Sequence, residues 1–199
     1  MKKNNFFALI TITALFACNG EANKKVLIMG RGSITANGND VTMKEGSGYA
    51  EETVEVNGDK PVTWNVTTPT GKNTINIPAD KGFYILNLRA DTIVGSQQIL
   101  GTDISNSRTI TQEELKKKID SLTKLTTGAN ITPGSHNYMI LPNQSKKISD
   151  NTGARVFGPF TKIPGTLEAD KSGKAPEIYK FYTNSEMREL IANFKKMTY

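Results

Sequence analysis

The chain has 199 residues and a formal charge of +6, from 25 Lys and Arg against 19 Asp and Glu, with one His and one Cys. Having only His136 and Cys18, it excludes a multi-His metal site, an HExxH zinc motif and an internal disulfide, so no metal and no cofactor is expected. The positive excess is spread along the chain. The short lysine runs at 116–118, 146–147 and 195–196 read as solvated faces, and nucleic acid is not an expected partner.

Lys2 and Lys3 precede an uncharged run at 6–17 that ends in Leu15, Phe16, Ala17 and Cys18. A spanning helix needs roughly 20 apolar residues to cross the bilayer. This run is shorter and rich in Thr and Ala, so it predicts an export signal over 1–17 rather than a permanent span. The polar stretch 19–25 predicts a tether.

The LFAC ending at Cys18 resembles the lipobox of bacterial lipoproteins, in which small or apolar residues precede the Cys that becomes the lipid-modified N-terminus. The resemblance implies cleavage before Cys18, a diacylglycerol thioether and an acylated amine carrying a chain such as palmitate, and a place in the cell envelope. That place is the outer membrane, facing periplasm or surface. Several acyl chains make a stable anchor where one is marginal. With Lys2 and Lys3 removed the formal charge falls to about +4, and a lipidated Cys18 leaves no thiol. In Bacteroidota-type surface lipoproteins acidic residues after the Cys act as a surface signal; Glu21 is the only acid there.

From 26 to 108 the pattern is that of strands. Val26, Leu27, Ile28 and Met29 open it, and Thr53, Val54, Glu55 and Val56 alternate before Asn57 and Gly58, a pair that tolerates positive φ and predicts a hairpin turn. Val62, Trp64 and Val66 then share one face of a half-buried antiparallel strand, in which Trp64 is expected to be core. Short segments follow at 74–77, 83–88, 92–94 and 97–100, broken by Gly71, by Asp80, Lys81 and Gly82, and by Gly95. Even spacing of this kind predicts a sandwich-like module.

A helix is predicted from Thr111, which forms a capping box with Glu114, with Ile110 stapled on Leu115. Leu115, Ile119 and Leu122 share a face, and Gly128 closes the helix after Lys124. The stretch 131–182 carries five prolines and short apolar pieces at 138–141, 155–160 and 178–182; 168–176 reads as a mobile loop. The last helix has a capping box of Thr183 and Glu186, a staple of Tyr182 on Met187, and a core-facing stripe of Met187, Leu190, Ile191 and Phe194. The expected fold is α+β: a β-rich, sandwich-like N-terminal module at 26–108, then a mixed part at 109–199 with two amphipathic helices, packed as one unit or as two small lobes.

Chemical motifs are few, and no catalytic residue set emerges. Ser135 and His136 follow Pro133 and Gly134 without a GxSxG elbow, which reads as turn chemistry. Gly30, Gly32 and Gly38 lack phosphate-loop spacing and read as a turn at a strand edge. Asp40, Glu45, Glu51, Glu52 and Asp59 are the acids from which a glycosidase pair would be drawn. Asp40 and Glu45 lack the DxDxDG calcium pattern. Trp64, Tyr49, Tyr84, Tyr138 and Tyr179 are the aromatic candidates for stacking on a ligand. Asp91, Thr92 and Ile93, and Asp120, Ser121 and Leu122, resemble the Bacteroidota O-glycosylation sequon, with Thr92 the better acceptor because Ser121 lies inside a predicted helix. The leading expectation is a non-enzymatic, membrane-anchored envelope module that binds a protein or glycan. The alternatives are a carboxylate-dependent envelope glycan hydrolase and a periplasmic inhibitor or immunity lipoprotein.

Overall fold

The run of Val26, Leu27, Ile28 and Met29 is apolar on both faces, and such a strand is stable only when both faces are covered. In the computed structural model, which describes residues 23–99, 110–158, 163–164 and 175–198, this run opens β1. The expected export signal over 1–17, Cys18 and residues 168–174 of the expected loop lie outside the described residues. The elements are β1 (Lys24–Asn37), β2 (Asp40–Val56), β3 (Val62–Thr68), β4 (Gly71–Ile77), β5 (Gly82–Asn87) and β6 (Ile93–Gln98). Then come α1 (Gln112–Thr127), β7 (Asn137–Ile140), β8 (Gln144–Ser149), β9 (Arg155–Phe157), β10 (Ile178–Thr183) and α2 (Asn184–Lys196). Among the described residues no helix is long and apolar enough to cross a membrane.

The strands form a six-stranded sheet, β4-β3-β2-β1-β5-β8, and a four-stranded sheet, β7-β6-β10-β9. The larger sheet curls until its outer strands meet: β4 and β8 are in contact, and Ser145 Oγ donates to the Asn76 carbonyl at 3.2 Å. Its barrel-like interior holds Val26 and Ile28 of β1, Trp64 of β3, Ile77 of β4, and Tyr84 and Leu86 of β5. The opposite faces of β1 and β5, with Leu27, Met29, Phe83 and Ile85, pack on Tyr179 and Phe181 of the smaller sheet. On that sheet's far side, Leu125 of α1 and Met187 and Ile191 of α2 close over Val94. The protein is α+β and mostly sheet. β8 belongs to the six-stranded sheet and β6 to the four-stranded one, so the two halves of the chain exchange a strand each.

Both helices start on the expected capping residues, and α1 stops at the expected glycine. Thr111 with Glu114 and Thr183 with Glu186 form capping boxes, and Gly128 ends α1 in the left-handed region at φ 76°. Ile110, the residue expected to staple on Leu115, is 59 % exposed. Trp64 is buried, as its alternating strand requires.

Elsewhere the structure departs from the sequence reading. Asn57 and Gly58 do not close a hairpin: β3 lies parallel to the start of β2, pairing Asp40 with Asn65 and Thr42 with Thr67. The cause is Lys24, fully buried, whose Nζ donates to the Gly58 and Lys60 carbonyls at 2.6 and 3.1 Å and draws the 57–61 connection over the start of β1. β1 thus begins two residues inside the span read as tether. Gly95 is no break; it lies within β6 because Phe181 crosses there, and a Cβ on it would sit 2.4 Å from that ring. β8 was hidden by its polar sequence, QSKKIS, which alternates as an edge strand does.

Trp64→Ala is expected to lower unfolding free energy by about 3–5 kcal/mol, as for other fully buried large aromatics. Urea denaturation measures it, and a loss below about 1 kcal/mol would show that the barrel interior contributes little to stability.

Candidate functional site

The unbroken apolar run of β5 ends at Asn87, which is 0 % exposed and has its side chain fully engaged. Its Nδ2 donates to the Asp91 and Ile140 carbonyls at 2.9 and 3.0 Å, and its Oδ1 accepts from the Arg89 amide at 2.9 Å. This side chain shapes the turn that carries the chain from one sheet to the other, and Arg89 and Asp91 are placed by it.

From that turn both side chains reach the first turn of α2. Asp91 Oδ2 accepts from the Ser185 amide at 2.9 Å, so a carboxylate already occupies the positive end of the helix. Arg89 Nη2 donates to Glu186 Oε1 at 3.3 Å, while Glu186 Oε2 accepts the Thr183 amide at 2.7 Å. The Arg89 guanidinium lies over the Tyr49 ring, 5.1 Å from its centroid, and the Tyr49 hydroxyl donates to Glu51. Burial, reinforced by the Glu51 carboxylate, pushes the Tyr49 phenol well above its usual range.

β2 brings Tyr49 here through an irregularity. Between the Ser33–Lys44 and Arg31–Tyr49 pairs, β1 has only Gly32 while β2 has residues 45–48. Gly32 adopts φ +81°, and a Cβ on it would meet the Lys44 carbonyl at 2.1 Å, so no side chain fits. The bulge turns Arg31 towards the same corner as Arg89.

Two adjoining concavities result. One, of about 300 Å³, is walled by Arg31, Arg89, Asp91, Thr183, Ser185 and Glu186. The other, of about 270 Å³, shares Arg31, Arg89 and Ala90, and continues over Met43, Leu88 and Pro142 to Glu45. A larger trough of about 480 Å³ on β3 and β4 includes Asp40, Asn65 and Lys72 but no buried charge.

Of the five acids singled out in the sequence, no two line the same one of these concavities. Glu45 lines the arginine groove, Asp40 binds Asn65 Nδ2 at 3.1 Å, Asp59 accepts from Asn23 Nδ2 at 2.8 Å, Glu51 is held by Tyr49, and Glu52 is exposed. His136 is exposed at φ 50°, and Ser135 Oγ is spent on the Thr132 carbonyl at 2.9 Å, which is turn chemistry. Among the described residues no three His, Cys, Asp or Glu side chains gather as a metal site. Trp64, Tyr84 and Tyr179 are buried in the cores, and Tyr138 is half-buried against Tyr179, with ring centroids 5.9 Å apart. Tyr49 alone of the five aromatics packs at the groove. Thr92 is half-buried, its carbonyl accepting the Asn184 amide at 2.7 Å, whereas Ser121 is exposed on α1.

Sequence reasoning missed Arg89, Arg31 and Glu186. The signal for Arg89 was present: an arginine directly after the apolar run 83–88 emerges from a core strand with its stem buried. Glu186 was recognised as a cap but not as an ion-pair partner, because its partner is 97 residues away. No protein-family model, curated protein or solved structure gives a significant match to the chain.

Asn87→Ala would strand the buried carbonyls of Asp91 and Ile140, and an expected loss of at least about 2 kcal/mol is measurable by denaturant titration. Stability is also expected to fall as pH rises above about 10. Burial, with the Glu177 carboxylate, raises the Tyr179 phenol as well, so the unfolded chain releases protons that the native state retains. That contribution is fully present below the unfolded tyrosine pKa and is lost above it. Urea midpoints between pH 9 and pH 11.5 should decline less steeply in Tyr179→Phe; equal slopes would contradict the assignment.

Proposed function

We propose that this chain is an envelope lipoprotein held at a membrane by lipid on Cys18, and that its folded part is a non-enzymatic module binding a protein or glycan. The observation carrying the binding reading is the arginine groove. It is a preformed concavity at the junction of two sheets and a helix, with a buried charged group in its wall, and the two carboxylates of its first hollow, Asp91 and Glu186, are tied to backbone amides at the start of α2. Sites of this build, mostly apolar with a few convergent polar groups, are what ligand pockets look like. The hydrolase alternative has no two of its candidate acids in one concavity to draw on.

The geometry is consistent with the anchor. The chain from Cys18 to Lys24 spans at most about 20 Å, so the start of β1 would lie near the lipid headgroups. Arg31 is seven residues further along the same strand, about 23 Å away at the usual strand rise, which would hold the groove towards the far side of the module. A two-sheet sandwich in the strict sense is a finer reading than the curled sheet and its layered partner require.

Intact mass of the native protein from a membrane fraction tests the anchor. A mature species beginning at Cys18 with added acyl mass, absent in Cys18→Ala, is the expected result. An unacylated soluble product from the wild-type chain would overturn it.

A further inference from the structure

Arg89 is an over-equipped side chain for its structural task. Its side chain is 6 % exposed, and burying a guanidinium demands partners. Among the described residues the guanidinium has one hydrogen-bond acceptor, Glu186 at 3.3 Å, and one ring beneath it. Glu186 divides its charge between this long contact and the Thr183 amide at the start of α2. Among the described residues the other N–H groups of Arg89 have no acceptor and keep access to the concavities, both of which the residue walls.

The rest of the groove narrows the chemistry of the missing acceptor. Arg31, exposed on the shared wall, supplies a second guanidinium. Against these stand three acids: Asp91 and Glu186, both committed to α2, and Glu45 on the wall of the second concavity. A doubly charged tetrahedral anion would meet those carboxylates at close range. A single planar carboxylate matches the guanidinium fork with less repulsion. Met43, Leu88 and Pro142 offer an apolar wall next to the charge, in a space suited to a few heavy atoms rather than a long chain.

We propose that Arg89 and Arg31 form a recognition site for a carboxylate with a small apolar body attached, as at the C-terminus of a peptide or in a free acyl amino acid. The carboxylate completes the hydrogen bonding of Arg89, and the apolar body lies on Leu88 and Met43. This rests on the binding reading of the groove and is independent of the lipid anchor.

The test is an amide chemical-shift titration of the full chain with N-acetyl-leucine, its carboxamide N-acetyl-leucinamide, and inorganic phosphate. N-acetyl-leucine is expected to give saturable shifts at Gly46, Ala90 and Ser185 with Kd on the order of 1 mM, the carboxamide to give none, and phosphate to bind at least about tenfold more weakly. Arg31→Gln, a change at an exposed residue, should weaken N-acetyl-leucine by about threefold to tenfold with an unchanged Tm. Arg89→Lys should abolish saturation, and Tm reports whether that variant is folded. Equal shifts from acid and carboxamide, tighter phosphate binding, or no effect of Arg31→Gln would overturn the proposal. A tripeptide ending in leucine separates the two sources: tighter binding than N-acetyl-leucine indicates a peptide C-terminus, and equal binding a small acid. Should no probe shift the groove while an envelope partner protects another surface, the carboxylate site fails and the binding module stands; partner and probes both failing removes the binding reading, while the mass measurement decides the anchor separately.

Discussion

Two strands buried on both faces hold this structure together. β1 and β5 lie side by side and parallel, and their alternate residues serve two different cores. Val26, Ile28, Tyr84 and Leu86 line the barrel-like interior, while Leu27, Met29, Phe83 and Ile85 support the second sheet. Every residue of β5 is buried. A polar substitution on either face would therefore reach one core or the other, and neither sheet has a surface on which to shed the cost.

The same constraint produces the groove. A strand buried on both faces has to leave the interior abruptly, and its last residue, Asn87, manages the exit by satisfying two carbonyls and one amide with one side chain. Arg89 is brought out between the sheets before the chain can reach solvent. Opposite it, the bulge at Gly32 re-aims Arg31 and delivers the Tyr49 ring as a platform. The corner is thus polar by construction, in a region where three layers of apolar packing converge.

Much of the local structure was legible in the residues. The capping boxes at Thr111 and Thr183, the glycine stop at Gly128, the inward Trp64 and the apolar stripe of α2 follow from interactions within a few positions of one another. The failures have a common form. The turn signal of Asn57 and Gly58 was overridden by the ammonium of Lys24, over thirty positions away, and Gly95 was read as a break because the ring of Phe181 that requires it is on a different strand. β8 has no apolar period of its own and exists because β5 offers it a partner edge.

By itself the sequence determined which segments are helices, which faces are apolar and the α+β class; each depends on neighbours at spacings of one to four residues. Only the tertiary structure decided that the large sheet curls, that the halves exchange strands, and that Arg89, Arg31, Tyr49 and Glu186 meet. Those outcomes depend on contacts between residues tens of positions apart, whose pairing is set by the competition of whole strands for the same two cores and leaves no period in the chain.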